Sequence, residues 1–262
     1  GIISGIWCVK ALQELNIPLN HKLVFVFNGD EEKGSSESKE IISNYAEGAK
    51  YAFILEPANE RGYVKTGRKG IAKFKVECFG KATHAGNNHA DGINAMEELA
   101  NEQIAFQKLT DYAKGTTVNC GVMRGGSVSN VVPAYASMEI DTRFKSFEER
   151  QRLMDAIEHM PLSVEGASRK VTLVGGRPPM VESVESLKLF DLVYRCGKKL
   201  GMELRGALAG GGSDGNEISA MGIPVIDGMG AVGDHAHGKD EYIDIDDSLE
   251  RIALLTYVTP QL

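Results

Sequence analysis

The residues best able to do chemistry in this sequence are a handful of acids at the ends of apolar runs and one pair of nearby histidines. Asp30-Glu31-Glu32 directly follows the apolar run 21–27 (HKLVFVF) and an Asn-Gly step. Two adjacent acids in extended chain point to opposite sides. One can therefore coordinate a metal while the other holds a water. Taken alone, they read more simply as solvated acids favouring a helix N-terminus. Glu56 follows a second apolar run, 51–55 (YAFIL), and Pro57 fixes the chain direction there; its plain alternative is a turn cap. Asp234-His235-Ala236-His237, with Asp240-Glu241 after it, places two of the six histidines in one loop. Neutral imidazole binds metals without adding charge, although a polar surface loop would look the same. His84 stands in Thr83-His84-Ala85-Gly86, where a lone histidine is commonly structural. The segment 210–216 (GGGSDGN) lacks the Lys-Ser/Thr of a phosphate-binding loop, and no G-x-G-x-x-G follows an early strand. It suits a loop that brings backbone N–H groups close to a ligand.

These residues need elements to hold them. Ile2, Ile3, Ile6, Val9 and Leu12 recur at helical spacing. The run 21–27 reads as a buried strand feeding the acidic loop, 35–45 as a helix, and 51–55 as a second strand. Strand, helix, strand in this order implies a parallel sheet. In 71–79 the pattern changes: Ala72, Phe74, Val76 and Cys78 alternate with Lys73, Lys75 and Glu77. That is a strand of a sheet with one wet face. A helix over 92–109, strands over 117–123 and 134–144, a helix over 147–159 and a strand over 170–174 complete the split βαβ order of ferredoxin-like domains. The expected organisation is a catalytic α/β domain from 1–66 and 177–262, with an inserted α+β domain over 67–176. A helix over 184–200, a strand over 223–226 and a last helix over 248–258 complete the outer part.

Composition narrows the function classes. With 42% apolar and 25% charged residues over 262 positions, the chain reads as a globular protein able to bury its own core. A net charge of −7, with no long basic run, argues against nucleic acid as partner. No apolar run reaches membrane-spanning length. No signal peptide is visible, which favours a cytoplasmic setting, although the chain begins with Gly1 rather than Met. Cys8, Cys78, Cys120 and Cys196 form no C-x-x-C, which excludes zinc ribbons and redox motifs. Cys78 and Cys120 read as buried free thiols.

Separately these signals are weak; their order and combination are specific. GDEEKGS (29–35), LEP (55–57), GKATHAG (80–86), GGSVSNVVPAYASMEIDTRF (125–144), GGGSDGN (210–216) and AHGKDEY (236–242) together resemble the di-zinc metallopeptidases. That family includes glutamate carboxypeptidase, aminoacylase, acetylornithine deacetylase and succinyl-diaminopimelate desuccinylase, and the glutamate carboxypeptidase type looks nearest. The resemblance covers essentially the whole chain. It implies a zinc-exopeptidase-like α/β domain with a ferredoxin-like lid that also makes a homodimer.

By that resemblance Glu31 is the general base, Glu32 and His237 are ligands of one zinc, and Glu56 is a ligand of the other. His84 and Asn130 are substrate and oxyanion contacts from the lid, able to reach the neighbouring subunit's site in the family's dimers. Arg143 and Arg177 hold the substrate carboxylate, for which a guanidinium fork has matching geometry, with Gly212 behind the same pocket. The implied substrate is a small peptide or an N-acyl amino acid, cut at an amide bond next to a free carboxylate. An N-acyl amino acid deacylase would share these residues, and a non-catalytic dimerising fragment is the alternative of another class. The family's first His-x-Asp and its bridging Asp are absent here, and the opening residues resemble the helix that follows them. The catalytic domain is therefore expected to be incomplete at its N-terminus. The chain alone is expected to bind zinc weakly, to be inactive, and to expose apolar surface.

Overall fold

The computed structural model describes residues 1–58 and 60–262, which form two compact units, one of Gly1–Lys69 with Pro178–Leu262 and one of Gly70–Arg177.

The second unit is the simpler. Its strands β3 (Gly70–Phe79), β4 (Thr117–Gly125), β5 (Tyr135–Phe144) and β6 (Ser168–Arg177) form one antiparallel sheet in the order β4-β5-β3-β6. Helices α3 (Ala95–Gln107) and α4 (Phe147–Glu158) are the crossovers, which gives the expected ferredoxin-like arrangement. The alternation in β3 works as read: Ala72, Phe74, Val76 and Cys78 are buried, joined by Met138 and Ile140 of β5. Leu99 and Phe106 of α3 and Leu153 and Ile157 of α4 close the core, each such side chain contributing roughly 1.5–3 kcal/mol. Short polar side chains set the helix starts. Asn94 accepts from the Met96 and Glu97 amides at 3.0 and 3.2 Å, and Ser146 accepts from the Glu149 amide at 3.3 Å.

The first unit is an α/β body. Its strand pairs are β1 (Ala52–Phe53) with β8 (Val225–Ile226) and β2 (Tyr63–Arg68) with β7 (Arg205–Ala209), both parallel. An antiparallel bridge between Lys65 and Asp227 links them. A small hairpin, β9 (Val232–Asp234) with β10 (Tyr242–Asp244), follows. Helices α1 (Ile2–Glu14), α2 (Lys39–Ala46), α5 (Val184–Lys199), α6 (Asp214–Ala220) and α7 (Ile245–Val258) surround these strands. Cys8, Leu12, Val64, Leu189, Val193, Ile226, Met229, Leu254 and Val258 share one core. Among the described residues no helix is long and apolar enough to cross a membrane, and all four cysteines are free. Cys8, Cys78 and Cys196 are buried; Cys120 is half-buried.

Two sequence expectations are corrected here. The run 21–27 is not a buried strand. Val24, Phe25, Val26 and Phe27 are all exposed, and among the described residues the backbone of 22–27 makes no backbone hydrogen bond. A strand exists only through its ladder, and among the described residues this segment has no partner to form one. On α1 the buried face is Ser4, Gly5, Cys8 and Leu12, while Ile2, Ile3, Ile6 and Trp7 face outward. A Cβ on Gly5 would stand 2.8 Å from the Phe25 ring, so close approach selects the small residues inward.

Candidate active site

The acidic turn is built by its neighbours. Asp30 is tied into its own loop. Its carboxylate accepts from the Ser38 hydroxyl at 2.5 Å and from the Glu37 and Ser38 amides at 2.9 and 3.2 Å, which holds it below the usual carboxylate range. That ties off the segment leading into α2. Glu31 and Glu32 then occupy a single 3₁₀ turn, Glu31–Lys33, closed by Gly34 in the left-handed region at φ 89°. Glu31 is half-buried and Glu32 is exposed.

The turn is fastened to the glycine-rich loop. Asn28 Nδ2 donates to Asp214 at 2.8 Å, and the Ser35 hydroxyl bonds the other oxygen of the same carboxylate. Ser213 caps α6 in a capping box with Asn216. Asn216 Nδ2 donates to the carbonyls of Pro178 and Lys69 at 2.7 and 3.2 Å. Gly212 is thus held in a loop anchored on both sides.

Under this loop lies an ion pair that the sequence reading passed over. Arg68 donates to Asp227 through Nε at 2.6 Å and Nη2 at 3.1 Å, and both side chains are buried. Asp227 also accepts from the Ser213 hydroxyl at 2.5 Å and from the Gly228 amide. Arg68 Nη1 reaches the carbonyls of Gly211 and Gly212 at 3.0 and 3.4 Å. One signal was available: Asp227 directly follows the buried pair Val225–Ile226, much as Glu56 follows the apolar run 51–55.

Glu56 emerges half-buried after β1. Burial pushes its carboxyl above the usual range, and Asp227 repels its charge further, while Arg68 and Lys65 pull the other way. Lys65 donates to the Pro57 carbonyl at 2.8 Å, fixing the turn beside it. The Gly230 amide donates to the Glu56 carbonyl at 3.0 Å, and a Cβ there would stand 2.3 Å from the Leu55 carbonyl oxygen. Only glycine allows that approach.

His235 and His237 both take left-handed backbone, at φ 60° and 66°. His235 Nδ1 pairs with Asp240 at 2.6 Å. His237 Nε2 stands 3.8 Å from Glu32 Oε2, so two expected donors far apart in sequence converge. Donors on one tetrahedral zinc, at about 2.0–2.1 Å each, stand about 3.3 Å from one another. The spacing and the donor types suit zinc. The number does not complete a site, because catalytic zinc ordinarily takes three protein ligands. Among the described residues no group of three or more His, Cys, Asp or Glu gathers for a metal ion.

The remaining expected contacts belong to the second unit, in two groups. The segments carrying His84 and Asn130 are bridged: the Ala85 amide donates to the Asn130 carbonyl at 2.9 Å, and His84 pairs with Val131. Both segments leave the sheet at its Phe79–Tyr135 end. Arg143 and Arg177 flank Ile71 on neighbouring strands at the other end. Tyr135 and Arg143 are eight residues apart on β5, about 27 Å at ~3.4 Å per residue. Arg143 is paired with Asp141 at 2.6 and 3.0 Å.

Residues 66–163 match the peptidase dimerisation domain. Carboxypeptidase G2 of a Pseudomonas species is 33% identical over 245 residues, spanning 90% of this chain and 58% of that protein. Peptidase T of a Geobacillus species is 26% identical, spanning 87% and 56% respectively. The chain is a homologue of these peptidases. The crystal structure of aminopeptidase PepT from Bacillus cereus superposes with a TM-score of 0.82 at 22% identity, covering 99% of this chain and 69% of that one; this likeness is one of fold. The peptidase homologue therefore spans little more than half the length of these two curated relatives. The family resemblance read from the motifs is borne out.

Proposed function

We propose that these residues belong to a zinc-dependent hydrolase that cuts an amide bond next to a free carboxylate, in the manner of a carboxypeptidase. The observation that carries this reading is the approach of His237 to Glu32, across the same turn that presents Glu31. In it Glu32 and His237 hold one zinc and Glu56 the other. Bound there, zinc would supply a Lewis acid for the scissile carbonyl and make a water acidic near neutral pH. Glu31 would take the proton of the attacking water and return it to the leaving amine. Arg143 and Arg177 would hold the substrate carboxylate. The donors present number two for one ion and one for the other. The 262-residue chain alone is therefore expected to bind zinc weakly and to show no turnover. The test joins it to the part of carboxypeptidase G2 that it does not match. The chimera should retain about two zincs after dialysis and release glutamate from C-terminal glutamate conjugates, whereas the chain alone should do neither. A well-folded chimera that holds no metal would end the assignment.

The partner in this reading is a second copy. His84 and Asn130 leave the lid about 27 Å from the Arg143 end, which suits delivery to a neighbouring subunit's site in a two-fold dimer. Light scattering on the chain at micromolar concentration should give twice the monomer mass. A clean monomer would remove the lid as the dimer surface in this chain.

A further inference from the structure

His84 has a hydrogen-bond pattern that bears on its chemistry. Its ring Nδ1 accepts from the backbone amides of Gly86 at 3.1 Å and Asn87 at 3.2 Å. The turn that aims those amides is itself fastened. The Asn88 amide donates to the His84 carbonyl at 3.0 Å, and the Val132 amide to the Thr83 carbonyl at 2.9 Å. The side chain is exposed, and Nε2 meets no partner among the described residues.

A neutral imidazole carries its proton on one nitrogen and a lone pair on the other. Two amide protons already point at Nδ1, so the lone pair is there and the proton is on Nε2. Binding a metal or accepting a proton through Nε2 needs a lone pair on that atom. Moving the ring proton to Nδ1 to expose it would forfeit both amide bonds. We infer that the Gly86 and Asn87 amides are positioning groups that lock His84 in the Nε2–H tautomer, so that it acts as a hydrogen-bond donor to a substrate oxygen and neither as a metal ligand nor as a general base. The donor role rests on the reading that His84 reaches substrate; the tautomer does not.

Histidine-selective ¹⁵N labelling of the 262-residue chain tests the lock directly. The His84 signals are assigned by their loss in His84→Asn. Above the histidine titration range, long-range ¹H–¹⁵N spectra should show a bare Nδ1 and a protonated Nε2. The Asn87→Pro variant, which lacks one of the two donors, should move the tautomer ratio toward that of free imidazole. Gly86→Ala keeps its amide and should leave the ratio as in wild type; a Cβ there meets the His84 ring only at 3.5 Å. A protonated Nδ1 in wild type, or an unchanged ratio in Asn87→Pro, overturns the lock. The donor role is read separately in the chimera. His84→Asn keeps an oxygen where Nδ1 was but has no outward donor, and should lower kcat/KM about 10²-fold. His84→Gln can place its amide N–H near the Nε2 position and should lose less. Equal rates for both variants and wild type would remove the donor role and leave the lock standing. A chimera with no hydrolysis at all would sink the proposed function, while the spectra would still decide the lock.

Discussion

Replacing Asp227 by alanine is expected to lower the unfolding free energy of its unit by about 3–5 kcal/mol, because it strands a buried guanidinium. The Arg68 and Asp227 side chains are 6% and 0% exposed. Asp227 also anchors Ser213 and the Gly228 amide, so its loss releases the glycine-rich loop as well as the arginine. Trp7, the single tryptophan, lies in α1 of the same unit and reports its unfolding in urea. A second change, Arg68→Met in the Asp227→Ala background, should recover part of the loss by removing the unpaired charge. If both the single and the double variant unfold within about 1 kcal/mol of wild type, the pair has no anchoring role.

The other large effect concerns Glu31. In the chimera with a completed metal site, Glu31→Gln should lower kcat by about 10²–10⁴-fold, the range associated with loss of general acid–base help. Glutamine keeps the shape of the side chain but cannot accept a proton, so zinc content should be unchanged. Glu32→Gln should instead reduce the zinc retained. Near-wild-type turnover in Glu31→Gln would transfer the base role to another residue.

The four-stranded antiparallel unit was legible in the sequence because its physics is local. Alternation along 71–79 names the buried face, and the order of strands and helices over 71–174 names the topology. The acids Glu31, Glu32 and Glu56 each had a plain alternative on their own and stood out only through the order of the motifs around them. The Arg68–Asp227 pair was not legible, since its partners are 159 residues apart and only folding brings them together. Helix α1 misled because apolar residues surround it. Periodicity reports where apolar side chains recur, but the inward face was decided by how closely Gly5 approaches Phe25. The run 21–27 misled differently. Its composition shows that it wants a ladder, and composition says nothing of whether one is supplied.

That unpaired run has a practical consequence for anyone making the protein. Leu23-Val24-Phe25-Val26-Phe27 is uncharged, free of proline and rich in β-formers; the side chains of Val24 to Phe27 are exposed and, among the described residues, the backbone is unpaired. Identical open segments on separate molecules can stack through their main chains, the geometry of cross-β aggregates. The opposing influence is colloidal: at pH 7 each molecule carries a net charge of −7 and repels its neighbours. Near pH 5.5, the sequence pI, that repulsion vanishes. Purification and storage in mildly acidic buffer would therefore favour precipitation, and a lysine placed at Val24 or Val26 would act as a gatekeeper against it.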